Sequence, residues 1–134
     1  MSERVKLKQF IKEHCQRINI TTDSWTFIQR INYICMTAHF IDDSWNLHKK
    51  IISLVSVISH RGEYLAKALE NSLLDWRIKN IFTITMDNAS LNDTAIGYFK
   101  KKMLSWGASS IRLKFLHMRC LAHILNLVVN NGLK

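Results

Sequence analysis

The sequence has no acidic residue after Asp93, although 41 residues follow. Those 41 residues hold 7 of the 19 Lys and Arg side chains, whereas residues 1–93 are nearly balanced, with 12 basic and 10 acidic side chains. The whole chain carries a net charge of +9. Neutralisation of phosphate by Lys and Arg is the main sequence-independent contribution to nucleic-acid binding. The charge asymmetry therefore favours a polyanionic partner, nucleic acid first, over a merely solvated basic surface.

Cysteines and long apolar runs are also scarce. The three cysteines, Cys15, Cys35 and Cys120, are odd in number and form no Cys-x-x-Cys pair, which indicates a reducing compartment. No run of about 18 apolar residues exists, and residues 1–6 lack the apolar core of a signal peptide. These absences predict a soluble intracellular chain. Its 134 residues suit a single domain with a buried core.

Two acidic residues follow short runs that are typical of β-strands. Residues 81–86 read Ile-Phe-Thr-Ile-Thr-Met and end on Asp87, and residues 18–22 read Ile-Asn-Ile-Thr-Thr and end on Asp23. In an α/β sheet, ligands and catalysis collect at the carboxyl ends of strands. The pattern predicts one shared metal site. The competing interpretation is that each Asp only forms a turn or caps a helix.

The remaining segments predict the order of elements around these two strands. A basic amphipathic helix is expected at residues 3–17. The first strand holds Asp23 and runs on into Trp25, and strands at 33–41 and 50–58 complete an antiparallel meander with Asp42 and Asp43 in a turn. A helix at 63–76, after Gly62, then crosses to the strand at 80–86, which places the third and fourth strands parallel. Further elements are expected as a helix after the Ser90–Asp93 capping box, an edge strand at 111–117 and an apolar helix at 120–129.

Four strings in this order resemble a known family: TTDSWT at 21–26, TAHFI at 37–41, MDNAS at 86–90 and HMRCLAHILNL at 117–127. They are similar to the catalytic domain of hAT-superfamily transposases, and most of all to plant proteins of the zinc-finger BED, RICESLEEPER-like group. The resemblance implies a ribonuclease H-like α/β fold with a mixed five-stranded sheet flanked by helices, incomplete at the C-terminus. It divides the chain into an N-terminal helix (1–17), a partial core (18–119) and the start of a helical insertion (120–134).

The resemblance also implies a chemistry and its residues. Asp23 and Asp87 would be the first two acids of a DDE triad that holds Mg²⁺ or Mn²⁺ for metal-dependent DNA cleavage and strand transfer in the nucleus, with transposon ends as partner. A homo-oligomer of the full-length protein and no membrane partner would follow. The family's third acid, a Glu, lies downstream of the Cys-x-x-His segment, and no acid follows Asp93 here. The 134 residues alone are therefore expected not to cut DNA, and they also lack the BED finger and the dimerisation region usual in the family.

Two further groups of residues are candidates for the same function. The basic residues of the acid-free segment are expected to contact phosphate: Lys100, Lys101, Lys102, Arg112, Lys114 and Arg119. Cys120 and His123 could supply half of a zinc site, but the resemblance favours a role in positioning the active site or contacting DNA.

Two other functions remain open at this point. One is a domesticated DNA-binding or protein-interaction module that keeps the fold without catalysis. The other is a nuclease that acts on RNA–DNA hybrids, which would need an acid on the helix after the third strand, where Glu63 and Glu70 are available.

Overall fold

The structure, a computed structural model, describes residues 1–59, 61–87 and 90–134, without the side chains of residues 90–92. Its elements follow in the order α1 (Glu3–His14), β1 (Ile18–Thr26), β2 (Asn32–Ile41), β3 (Leu47–Val57), α2 (Gly62–Asp75), β4 (Ile81–Met86), α3 (Ser90–Ser105), α4 (Ser110–Lys114), β5 (His117–Arg119) and α5 (Leu121–Gly132).

The strands form one mixed sheet in the order β3-β2-β1-β4-β5. The first three strands pair antiparallel as a meander, as expected, and β4 pairs parallel with both β1 and β5. Since β1 and β3 both run opposite to β2, the crossover through α2 leaves β3 and β4 parallel. The expected five-stranded mixed sheet flanked by helices is confirmed.

One face of the sheet carries the hydrophobic core. Side chains alternate between the two faces of a strand, so the buried Ile18 and Ile20 of β1 share a face with Ile84 and Met86 of β4. Helices α2 and α3 supply most of the helical side chains of the core cluster, with α2 adding Leu65, Leu69 and Leu73 and α3 adding Ile96, Phe99 and Met103. We call this surface the core face and the opposite surface the open face.

The helices α2 and α3 pack closely where α2 begins. A Cβ on Gly62 would lie 2.8 Å from the backbone nitrogen of Ala95 and 2.8 Å from the Cβ of Thr94. Gly62 is the first residue of α2. Because it has no side chain, α3 can approach this end of α2 closely. The capping box predicted at the start of α3 depends on the side chain of Ser90, which lies outside the described residues.

The segment 111–117 corrects an expectation. Its apolar and polar residues alternate as in a strand, but residues 110–114 form the short helix α4. The Ser109 hydroxyl caps this helix by accepting a hydrogen bond from the Arg112 backbone N–H at 3.3 Å. Strand β5 begins only at His117 and extends for three residues. The local cap therefore outweighs the alternating pattern.

The last helix, α5, projects from the domain. None of its side chains is buried, although Leu125, Val128 and Val129 are all apolar and more than half exposed. Among the described residues, no helix is long and apolar enough to cross a membrane.

Candidate metal and nucleic-acid site

Asp87 directly follows strand β4, as the sequence predicts. In β4, Ile84 and Met86 point into the core, so Thr83, Thr85 and Asp87 alternate with them on the open face. Asp87 is half-buried there. The strand thus fixes the backbone that carries the carboxylate.

Asp23 lies inside a strand and not at its end, in agreement with the expected continuation of this strand into Trp25. β1 continues three residues further, to Thr26, in a hairpin with β2. Only the pairing of β1 with β4 ends early, at Thr21 opposite Thr85. Asp23 is exposed and shares the open face with Thr21.

The register between β1 and β4 brings the two acids together. If the pairing of Thr21 with Thr85 is continued by two residues, Asp23 stands opposite Asp87. The register therefore directs the two carboxylates to the same face, each two residues beyond the last pair of β1 and β4. A side-chain hydrogen bond further down, from Thr83 Oγ1 to Asn19 Oδ1 at 2.9 Å, shows that the two strands share this face.

Two cysteines flank the acid pair in the same row of the sheet, a feature that sequence reasoning missed. Cys35 of β2 pairs with Asp23, and Cys120 follows β5 beside Asp87. The Cys120 backbone N–H donates to the Met86 carbonyl oxygen at 2.9 Å. Both thiols are free and half-buried. Only the pairing of the strands reveals this row, because Cys35 and Asp23 are 12 positions apart in sequence.

Cys120 and His123 hold different positions from those expected of a helical pair. Cys120 is the N-cap of α5 and makes no side-chain capping bond, whereas His123 lies in the first turn and is half-buried. The backbone bond from Cys120 to Met86 ties the start of α5 to the residue before Asp87.

His39 lies on the open face below the acid pair. Its Nε2 is 3.0 Å from Thr21 Oγ1. Burial, with a smaller contribution from the nearby Lys49 ammonium, lowers the pKa of His39 below its usual value. A neutral imidazole hydrogen-bonded to Thr21 thus braces β2 against β1 next to the site.

The other acids that the sequence offers are engaged elsewhere. Glu70 lies 3.5 Å from Lys67 and 3.1 Å from Lys102, and Glu63 accepts a hydrogen bond from the Tyr98 hydroxyl at 2.8 Å. Both sit on α2, which packs on the core face. Asp42, as expected, forms a turn, in which its Oδ1 accepts from the backbone N–H groups of Ser44 and Asn46. The hydrogen bond between the His48 side chain and the Asp42 carboxylate, together with these backbone N–H groups, lowers the pKa of Asp42.

The acid pair has the chemistry of a hard-cation site but supplies only part of one. Carboxylate oxygens suit Mg²⁺ and Mn²⁺, and Mg²⁺ is often held through one or two carboxylates with water as its other ligands. Among the described residues, no group of three His, Cys, Asp or Glu side chains could hold a metal ion. Asp23 and Asp87 therefore fit such an ion as two of its ligands.

The basic residues expected to contact phosphate are in different environments. Lys102 is paired with Glu70, and Arg112 donates to the Ile81 carbonyl oxygen at 2.9 Å, so both take part in internal contacts. Lys101, Lys114 and Arg119 are exposed, and Lys100 is half-buried. Arg119 pairs with Met86, the residue before Asp87.

The strand order, the mixed pairing and the two acids on adjacent strands define an α/β domain of the ribonuclease H-like class. Residues 21–112 match the family described as the ZBED1 RNase-like domain, and the chain belongs to that family.

Three relatives illustrate the similarity. "Putative AC transposase" of Zea mays is 35% identical over 136 residues, which cover 99% of this chain and 17% of that protein. "Zinc finger BED domain-containing protein RICESLEEPER 2" of Oryza sativa subsp. japonica is 31% identical over 96% of this chain and 18% of that protein. "Putative transcriptional regulator tpeD" of Talaromyces stipitatus is 29% identical over 85% of this chain and 14% of that protein. The chain thus spans less than a fifth of each relative's length.

Proposed function

We propose that this chain is part of the catalytic domain of a hAT-type DNA transposase, and that Asp23 and Asp87 are metal ligands for DNA cleavage and strand transfer. The observation that carries the proposal is the register of β1 and β4, which sets the two carboxylates on the open face of adjacent strands. Transposase-related relatives along nearly the whole chain support the same class of function.

In the proposed site, Asp23 and Asp87 would hold the metal ion, and the strands that carry them would orient the two carboxylates. Mg²⁺ or Mn²⁺ would supply activation of a water or a DNA 3′-hydroxyl and stabilisation of the leaving oxygen. Asp23 is held by the pairing of β1 with β2, opposite Cys35, and Asp87 follows β4, whose last residue is bonded to Cys120. Such rigid placement matters because a small displacement of catalytic groups costs rate.

A third carboxylate is needed to complete a DDE site. Residues 94–134 contain no acid, and Glu63 and Glu70 are occupied on the other side of the sheet. The third ligand would therefore come from sequence outside these 134 residues. On this proposal, the chain binds metal weakly and does not cut DNA by itself.

DNA is the proposed partner, and the nucleus the proposed location. The exposed cations Lys101, Lys114 and Arg119 are the best placed of the predicted group to contact phosphate. Lys102 and Arg112 would have to give up internal partners first. Assembly of the full-length protein into a homo-oligomer remains part of the proposal.

Manganese binding tests the two acids without requiring catalysis. Paramagnetic Mn²⁺ should broaden the backbone amide NMR signals around Asp23 and Asp87, including those of Cys35 and Cys120. The double variant Asp23→Asn/Asp87→Asn should weaken Mn²⁺ binding at this site by about tenfold or more, which is a loss of at least about 1.4 kcal/mol.

The matched control is Asp43→Asn, which removes an exposed carboxylate from the turn after β2. This variant should leave the broadening around Asp23 and Asp87 unchanged. If the double variant binds Mn²⁺ as the parent does, the acids are not metal ligands. A binding module without catalysis would then be the better interpretation.

A further inference from the structure

A basic cleft lies at the end of the sheet opposite the acid pair. It runs between α1 and the segment that connects α2 to β4, close to Ile18, where β1 begins. Its volume is about 640 Å³. Four of the lining residues are cations and none is an acid: Lys8, Lys12, Arg77 and Lys79.

Three of these cations have no ion pair with a described residue. Lys8 is 3.3 Å from Asp75 Oδ1 and donates to the Asp75 carbonyl oxygen at 2.7 Å, so its charge is partly balanced. Lys12, Arg77 and Lys79 are exposed, and the salt bridges found among the described residues do not include them. The cleft is thus a concentration of uncompensated positive charge.

The backbone at Arg77 is a second observation. Arg77 ends α2 in the left-handed conformation, with φ of 57°, where glycine is preferred. Two bonds enforce this ending, from the Arg77 N–H to the Leu74 carbonyl at 3.0 Å and from the Ile78 N–H to the Leu73 carbonyl at 2.9 Å. This backbone conformation disfavours arginine relative to glycine, yet Arg77 adopts it at the edge of the cleft. Replacement of Arg77 by glycine would therefore remove the cation without straining the backbone.

We propose that the cleft binds the phosphate backbone of DNA, as a contact separate from the acid pair. Lys12 of α1 and Arg77 and Lys79 of the connection between α2 and β4 would be the contacting residues, on two segments that converge at one end of the sheet. The inference rests on the proposed DNA-directed function and adds to it a second contact surface. None of the three residues belongs to the acid-free segment that the sequence marked as basic.

The separation from the acids makes the cleft independently testable. Asp23 lies five residues along β1 from Ile18 at the cleft, which at about 3.3 Å per residue is about 16 Å. Substitutions in the cleft should therefore leave the acid pair intact. Conversely, binding measured in EDTA reports on phosphate contacts without any contribution from a divalent metal.

The experiment measures how the affinity of the full chain for a short DNA duplex of arbitrary sequence depends on salt. Fluorescence anisotropy in EDTA gives the slope of log K against log salt concentration. Each phosphate contact contributes about 0.9 to that slope, so the variant Lys12→Gln/Arg77→Gly/Lys79→Gln should lower it by about 2 to 3. Arg77→Gly alone should lower it by about 1 while leaving the melting temperature unchanged or higher, since glycine suits the left-handed position.

The control variant is matched in charge and backbone. Arg30→Gly/Lys49→Gln/Lys50→Gln also removes three exposed cations, and Arg30 is likewise left-handed, with φ of 59°. This control should change the slope by less than about 1. Neutralising Lys100, Lys101 and Lys102 should have an intermediate effect, because Glu70 already holds Lys102.

The outcomes separate the cleft from the proposed function. Equal slopes for the cleft and control variants, with DNA binding by the parent chain, overturn the cleft and leave the proposed function standing. A parent chain that does not bind DNA overturns both. The cleft inference also fails if inorganic pyrophosphate or anionic phospholipid vesicles lose affinity for the cleft variant while DNA does not.

Discussion

The two faces of the sheet differ in what their side chains do. On the core face, Ile20, Ile34 and Ile84 are fully buried in the hydrophobic core. On the open face, the same strands present Thr21, Asp23 and Asp87, and the apolar Leu54 of β3 is 59% exposed. The core face therefore holds the strands in place, and the open face carries polar groups whose positions the strands define.

The largest effect should come from the core face. Ile84→Ala removes a fully buried side chain and leaves a cavity in the hydrophobic core, which should cost about 3 to 4 kcal/mol of unfolding free energy. Its neighbour Thr85 points to the open face, and Thr85→Ala should cost less than about 1 kcal/mol. Urea unfolding of both variants measures the difference. Similar losses would show that the open face is packed as tightly as the core face.

An intermediate effect should come from the helices that cover the core face. A methyl group at Gly62 would meet Ala95 and Thr94 of α3, so Gly62→Ala should destabilise the domain by about 1 to 3 kcal/mol. Gly97→Ala is the control, because a Cβ there meets nothing within 4 Å, and it should stabilise α3 by up to about 1 kcal/mol. Thermal unfolding measures both. A stabilised Gly62→Ala variant would mean that the two helices can move apart.

The smallest effect should be a pH dependence that differs between the faces. His117 lies under α3, with Nδ1 3.5 Å from Asp93 Oδ1 and a buried Nε2 that has no hydrogen-bond partner among the described residues. Burial lowers the pKa of His117, assisted by Arg119 and Lys100 and opposed by the Asp93 carboxylate.

The lowered pKa sets the sign of the pH effect. Below the ordinary pKa of about 6.5, the unfolded chain binds a proton that the folded His117 resists, so stability should fall as the pH decreases through that range. His117→Leu should reduce this loss in urea unfolding near pH 5.5 relative to about pH 7.5, and His39→Leu on the open face should reduce it less. A pH dependence that is unchanged in His117→Leu would place its origin elsewhere.

Most of the fold follows from the sequence because its signals are local. Strands β2 and β4 and helix α2 each bury the side chains that their periodicity predicts, from Ile34 in β2 to Leu73 in α2. The prediction of a strand at residues 111–117 was wrong because alternation of apolar and polar residues over so few positions is also compatible with a short capped helix. There the Ser109 cap decided the outcome, and Leu113 is the one buried residue of α4.

Less of the candidate site than of the fold could be predicted from the sequence. Its two acids and the continuation of β1 into Trp25 were predicted, but the pairing that holds Asp23 depends on the register of the hairpin with β2. The place of Cys35 beside Asp23 and that of Cys120 beside Asp87 depend on registers between distant segments. Equally, the cleft cations Lys12, Arg77 and Lys79 come together only in three dimensions. Local patterns contain no information about such pairings.

The pairing of β1 with β4 also has a consequence for the order in which the chain folds. β1 and β2 are joined by a short hairpin, whereas Ile18 and its partner Ile81 are 63 positions apart. Closing so long a loop is slow compared with forming a hairpin, because its entropy must be overcome before the contact stabilises it. The meander can therefore form while Asp23 and Asp87 are still far apart. The two acids become neighbours only when the sheet is complete, so a partly folded chain has no paired site.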